Sequence, residues 1–176
     1  MNHNIYIAGA FFNPQQLALI ETLEQTLENA GVRYISPRKQ HVGGDVGIHD
    51  AATACKVFAQ NCEDMNSATH VLAVLNWELP ADRELHLMQR RKVGNGQEHQ
   101  DLLTSVTRLS LPDTGTVWEM GYAYATGRPI AAFTTNPHRL NVMLLRCASS
   151  LLLGLPDVHA WLADVNYTRE WKGKIG

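Results

Sequence analysis

The sequence predicts an α/β fold: a doubly wound, mostly parallel five-stranded sheet of flavodoxin-like or Rossmann-like type, with helices on both faces and a long insertion after the third strand. Three observations predict it. Apolar, β-branched runs alternate with segments of helical period, an order that right-handed crossovers turn into a parallel sheet. Two of those runs, residues 70–76 (HVLAVLN) and 129–134 (PIAAFT), are continuously apolar, as strands covered on both faces must be. The length, 176 residues, suits one substantial core rather than two, so one domain spanning 1–176 is expected.

Taken in order, residues 4–10 (NIYIAGA) read as a buried first strand. Asn13-Pro14 then starts a helix, with Asn at the cap, Pro in the first turn and Gln16 at capping-box spacing. Leu17, Ile20, Leu23, Leu27 and Ala30 recur at helical intervals until Gly31, a natural stop. Residues 32–36 (VRYIS) form the second strand, ended by Pro37, and residues 38–47 (RKQHVGGDVG) a polar loop. Asp50 can cap a second helix with Ala54, Phe58, Cys62 and Met65 along its apolar stripe. After the third strand, residues 77–111 have a polar, Gly-containing middle (LHLMQRRKVGNGQEHQ). A segment of that length in a compact domain is a functional lid, an interface element or disordered. Its QRRK cluster reads as a solvated face rather than a phosphate contact. Beyond the strand at 129–134 come a helix around 141–149, a short strand near 151–155, and a helix carrying Val158, Trp161, Leu162 and Val165.

Composition excludes several classes. Fifteen Lys and Arg nearly balance seventeen Asp and Glu, for a net charge of −2, so polymeric nucleic acid is not an expected partner. No run approaches the ~18 apolar residues of a membrane span. The N-terminus lacks the basic region of a signal peptide. Cys55, Cys62 and Cys147 form an odd set without a CxxC pair, which points to reduced thiols and a cytoplasmic location. Eight scattered histidines show neither HExxH nor ligand spacing, so no structural metal is expected. GAFFNP lacks dinucleotide glycine spacing, GGDVG is not set between a strand and a helix, and there is no GxSxG elbow or Walker loop. No cofactor is expected.

Open α/β sheets bind ligands beyond the carboxyl ends of their strands. That rule brings residues 9–12 (GAFF) and the chain after Asn76 to the functional edge. It also draws attention to residues 112–129 (PDTGTVWEMGYAYATGRP), where a polar turn feeds a helix expected to begin near Thr116. Glu119 then falls in the first turn, and two readings compete. Thr116-Val117-Trp118-Glu119 is a capping box, in which Glu119 only satisfies a free N–H. Alternatively, Glu119 stands at the ligand edge six residues after a second carboxylate, Asp113, where a helix N-terminus keeps it ionised as a nucleophile requires. Gly121 and Ala125, on one helical face, would let this helix approach the sheet closely.

Three pieces, IYIAGAFF (residues 5–12), the D-x-G-x-x-x-E-x-G-Y-A pattern of residues 113–123, and the Leu140-Asn141 pair, occur in an order and spacing that resemble the nucleoside 2-deoxyribosyltransferase family. Weaker similarity runs from about residue 4 to residue 167. The resemblance implies retaining, two-step transfer of 2-deoxyribose between nucleobases, with Glu119 attacking the anomeric carbon to give a covalent intermediate. It implies that Asp64 handles the proton, that Tyr6 hydrogen-bonds the nucleophile, and that Phe12 and Gln40 line the base pocket beside Gly9. Asn141 resembles an asparagine given to the sugar site by a neighbouring subunit, which implies a homo-oligomer. The partners implied are deoxyribonucleosides and free nucleobases.

Ordinary alternatives stand beside these roles: a core aromatic for Tyr6 and for Phe12, a loop glutamine for Gln40, a solvent-exposed helix residue for Asp64. Asp113 separates related activities. Hydrolases of deoxynucleoside 5′-monophosphates tend to place a small hydroxyl residue at this position. An aspartate would repel a phosphate dianion but accept a hydrogen bond from a free 5′-hydroxyl. The insertion at 77–111 departs from the family's short pattern and would decide whether water reaches the pocket. An N-glycoside hydrolase of nucleosides or 5′-monophosphates is therefore the enzymatic alternative, and a nucleoside- or nucleotide-sensing module the non-enzymatic one.

Overall fold

The computed structural model describes residues 3–40, 51–76, 112–135, 139–171 and 174–175. Its elements are β1 (Asn4–Ala8), α1 (Pro14–Asn29), β2 (Arg33–Ile35), α2 (Pro37–Gln40), α3 (Ala51–Ser67), β3 (His70–Val74), α4 (Thr114–Ala125), β4 (Ile130–Phe133), β5 (Arg139–Leu140), α5 (Val142–Cys147), β6 (Ser150–Leu152), α6 (Leu155–Ala163) and β7 (Lys174–Ile175). The main sheet has five strands in the order β2-β1-β3-β4-β6, and every pair is parallel. This is the doubly wound order expected. The chain leaves β1 in one direction to β2 and returns past it to β3, so the switch point lies between β1 and β3.

Strand alternation divides the core into two layers. Ile5 and Ile7 of β1 pack with Ile20, Leu23 and Leu27 of α1 and with Val158 and Trp161 of α6. Tyr6 and Ala8 face the other way, toward Met65 of α3, Met120 and Ala123 of α4 and Leu144 of α5. Each large apolar side chain removed from water in these layers contributes roughly 1.5–3 kcal/mol. The same alternation delivers one polar atom, the Tyr6 hydroxyl, to the α3–α4 side.

The start of α1 follows the expected chemistry with one shift. The Asn13 side chain accepts the Gln16 N–H at 2.8 Å, but Gln16 Oε1 accepts from Phe12 N–H at 2.9 Å, one residue before the cap. The helix stops where Gly31 adopts φ +67°, a conformation that favours glycine.

Four local expectations need correction. Residues 37–40 form a helical turn rather than a loop, with Pro37 in its first position and Lys39 N–H bonded to Ser36 C=O at 2.9 Å. Arg38 Nε donates to the buried Glu24 at 2.8 Å and Lys39 Nζ lies 3.3 Å from the same carboxylate, which fastens α2 to α1. The apolar stripe of α3 is buried only at its end: Met65 is in the core, whereas Ala54 and Phe58 are exposed. Gly121 and Ala125 face outward, and α4 meets the sheet through Met120 and Ala123 instead. Val165 lies beyond the end of α6, although it still packs on the core.

β5 pairs in parallel with β7, Arg139 opposite Lys174 and Leu140 opposite Ile175. Two-residue strands carry no readable period, so this pairing was not anticipated. Asp50 and the segment 77–111 lie outside the described residues. No helix among the described residues is long and apolar enough to cross a membrane.

Candidate active site

The helix that carries Glu119 begins two residues earlier than the sequence suggested. Asp113 is its cap: Oδ2 accepts the Thr116 N–H at 2.9 Å and the Thr116 hydroxyl at 3.3 Å. Aspartate outranks threonine as an N-cap, and three residues is the reach of that bond. The Thr116–Glu119 capping box therefore does not form, and Thr116 is a buried residue inside the helix. Glu119 consequently sits in the second turn, facing the sheet.

The change of register changes the electrostatics. A first-turn position would have kept Glu119 ionised. Instead, burial raises its pKa from the ordinary 4.5 to about 7; a hydrogen bond from Tyr6 opposes that rise and the negative charge of Asp113 adds to it. The Tyr6 hydroxyl donates to Glu119 Oε1 at 2.5 Å. Tyr6 is fully buried, and burial together with the neighbouring Glu119 holds its phenol far above the usual range. It is a permanent donor. The core-aromatic reading of Tyr6 and its role as a partner of Glu119 thus describe two ends of one side chain.

Asp64 belongs to the same cluster, for its charge acts on the Tyr6 phenol. It lies near the end of α3 and is buried, 8% exposed, which removes the solvent-exposed alternative. Oδ1 accepts from Gln60 Nε2 at 3.0 Å, while Oδ2 is buried without a hydrogen-bond partner among the described residues. A buried lone carboxylate oxygen is costly unless something fills the position opposite it. Cys62, on the same helix, is also close: burial and Glu119 both push its thiol upward.

The remaining candidates are spread along the carboxyl edge. Gly9 follows β1, and a Cβ there would lie 2.8 Å from Ile20 Cδ1 and 3.1 Å from Val74 Cβ. Close packing of the β1–α1 turn on β3 explains this glycine whatever else it does. Phe12 is 76% exposed and so is not a core phenylalanine; its ring centroid lies 5.4 Å from that of Phe11. Gln40 ends α2, where it lines a cleft of about 530 Å³ with Lys56, Val57 and Gln60. Asn141 is exposed and caps α5, its Oδ1 accepting the Met143 N–H at 2.8 Å. The structure thus joins Tyr6, Glu119 and Asp64, places Gln40 on a cleft shared with Gln60, the hydrogen-bond partner of Asp64, and leaves Asn141 at the exposed start of a short helix.

Sequence reasoning missed Gln60, which an i, i+4 count back from Asp64 would have found. It also missed the rings of Phe58 and Trp118, whose centroids are 4.9 Å apart, with Tyr122 stacked on Trp118 at 5.3 Å. Among the described residues no group of three or more His, Cys, Asp or Glu is placed to hold a metal ion.

Comparison with known proteins adds the following. The profile described as nucleoside 2-deoxyribosyltransferase matches residues 5–83 and 98–171, so it is interrupted inside the 77–111 segment. A solved structure of a 2-deoxyribosyltransferase from Bacillus psychrosaccharolyticus is 22% identical, covers 94% of this chain and 92% of its own, and superposes with a TM-score of 0.61. A conserved protein from Enterococcus faecalis V583 is 15% identical, covers 100% of this chain and 91% of its own, and has a TM-score of 0.51. These two likenesses show the shared fold. No curated protein matches the sequence.

Proposed function

The chain belongs to the nucleoside 2-deoxyribosyltransferase family, and from that premise we propose that it transfers 2-deoxyribose between nucleobases, with Glu119 as the nucleophile. Family membership supports an enzyme that transfers or releases a glycosyl group at an N-glycosidic bond. The finer reading rests on one observation: a half-buried glutamate held by a buried tyrosine hydroxyl, whose phenol also feels a buried aspartate with one oxygen unpartnered among the described residues.

Chemistry follows from the division of labour between the two carboxyls. A neutral base leaves poorly, so it needs both a push at C1′ and a proton. Tyr6 fixes Oε1 of Glu119, leaving Oε2 to form the bond to C1′. As the C1′–N bond breaks, its electron pair passes to the base nitrogen, and Asp64 supplies the proton that neutralises it. In the second half, a nitrogen of the incoming base attacks C1′ from the opposite face, Glu119 departs as a carboxylate, and the proton returns to Asp64. Two inversions give retention. A glutamate with a pKa of about 7 is ionised often enough to attack and basic enough to be a good nucleophile at neutral pH.

The outer residues divide the substrate between them. Exposed Phe12 offers a face for stacking, and Gln40 presents an amide to base edges from the cleft. Asp113 commits Oδ2 to the helix cap and keeps Oδ1 for the free 5′-hydroxyl, which favours nucleosides over nucleotides. Gly9 keeps the β1–α1 turn tight beside the sugar. The exposed Asn141 serves the active site of a neighbouring subunit in a homo-oligomer.

Chromatography of the purified protein with a deoxynucleoside, alone and with a second free base, tests the reading. A new deoxynucleoside, lost by roughly 10³-fold or more in Glu119→Ala, supports transfer. Base released equally with and without acceptor means hydrolysis. No turnover across a panel that includes 5′-monophosphates contradicts both enzymatic readings.

A further inference from the structure

Lys56, Gln60 and Asp64 are spaced one turn apart along α3, so they share one helical face. The first two line the cleft with Gln40, and the third is the buried carboxyl beside Tyr6. Gln60 is the joint between cleft and carboxyl: its side chain forms part of the wall, and its Nε2 donates to Asp64 Oδ1 at 3.0 Å. The two oxygens of Asp64 are thereby made unequal. Oδ1 accepts a hydrogen bond from the Gln60 amide, and Oδ2 is buried with no hydrogen-bond partner among the described residues.

We propose that Gln60 is a positioning residue that makes Asp64 carry its exchangeable proton on Oδ2, and that a base seated in the cleft touches the residue that sets this orientation. The proposal rests on the assignment of Asp64 as the proton-handling group. An amide N–H donating to Oδ1 disfavours a proton on that oxygen, because a protonated carboxyl oxygen is a weaker acceptor than the unprotonated one. Protonation is directed to Oδ2, the oxygen left to donate to a bound base that reaches past Gln60 from the cleft. On departure of the base the C1′–N electron pair goes to that nitrogen, which takes the Oδ2 proton and leaves Asp64 as carboxylate; the incoming base reverses the transfer. The Gln60 amide stabilises the carboxylate stage on Oδ1 throughout. Because its own side chain lines the cleft, base occupancy and carboxyl orientation are read by the same group.

Gln60→Met tests this, since methionine keeps the length and helix propensity and loses the donor. Gln60 is exposed in the free protein, so the variant is expected to fold, with a melting temperature lower by about 2–4 °C at neutral pH because the buried Asp64 loses a hydrogen bond. Side-chain carboxyl NMR titration of Asp64 needs no turnover. Removing a hydrogen bond from a carboxylate raises its proton affinity, and in Gln60→Met the Asp64 signal is expected to titrate at higher pH than in the wild type. In the base-exchange assay, kcat is expected to fall about tenfold with little change in KM, and the pH–rate limb assigned to Asp64 by that titration to move upward with it. Equal Asp64 midpoints in the two proteins overturn the proposal, whatever the enzyme turns out to catalyse. A raised midpoint with kcat unchanged overturns the catalytic half of it. Absence of turnover in the wild type contradicts the functional reading and leaves the titration to decide the orientation of the proton.

Discussion

The hydroxyl of Tyr6, on the inner strand β1, donates to Oε1 of Glu119, 113 residues later on α4, at 2.5 Å. The bond lowers the proton affinity that burial has raised, and so sets where Glu119 titrates. In Tyr6→Phe that opposing influence is gone. The acid limb of kcat/KM, expected near pH 7 in the wild type, should move to higher pH, and activity at neutral pH should fall on the order of tenfold. A pH–rate profile of both proteins checks the direction; a limb that stays or moves to lower pH contradicts it.

Asp113 acts on the same titration with the opposite sign, and it also caps α4. Asp113→Asn keeps a cap and removes the charge. The acid limb should then move to lower pH with the melting temperature nearly unchanged. Asp113→Ala loses the cap as well, at a cost of about 1 kcal/mol, or roughly 2–4 °C in melting temperature. Thermal melts beside the pH profile separate the two roles.

Burial of Glu119 makes stability depend on pH. Its folded pKa, about 7, lies above the ordinary 4.5, so the folded state binds the proton more tightly than the unfolded chain. The associated stability is fully present below pH 4.5 and is lost as pH rises through about 7. Above that, the folded protein bears the cost of an ionised, half-buried carboxylate, about 2 kcal/mol after allowance for its partial contact with water. Glu119→Gln removes that cost. It should melt higher than the wild type at pH 8 and lose the advantage at pH 5, and identical differences at both values would contradict the account.

Gly9 is a packing constraint at the switch point. A methyl group there meets Ile20 Cδ1 at 2.8 Å, which can rotate away, and Val74 Cβ at 3.1 Å, which is fixed to β3. Gly9→Ala should destabilise by about 1–3 kcal/mol, measured by denaturant titration. A neutral substitution would show that the β1–α1 turn is looser than described.

The strands and long helices were legible because each carries its own period. Residues 70–76 are apolar on both faces and became β3 in the centre of the sheet; Gly31 ended α1 as a glycine at positive φ should. What was not legible depended on competition between neighbours or on distant partners. Two cap candidates lie three residues apart at Asp113 and Thr116, and the stronger one moved Glu119 from the first turn to the second. Residues 37–40 are polar and loop-like in sequence, but the buried Glu24, on another helix, holds their two cations and keeps the turn helical. Phe58 has the spacing of a core residue yet sits on Trp118 at the surface. The family resemblance singled out Tyr6, Asp64 and Glu119, and the fold draws these three together from β1, α3 and α4. It did not point to Gln60, whose significance lies in the atom it touches.

The central claim is that Glu119 forms a covalent bond to C1′. Rapid acid quench of the enzyme with a deoxynucleoside and no acceptor base, followed by digestion and mass spectrometry, reads it directly. The account predicts one added deoxyribosyl unit on the peptide containing Glu119, discharged when a free base is supplied before the quench. Turnover that proceeds with that peptide unmodified at every quench time, or a deoxyribosyl unit found on a different residue, would contradict it.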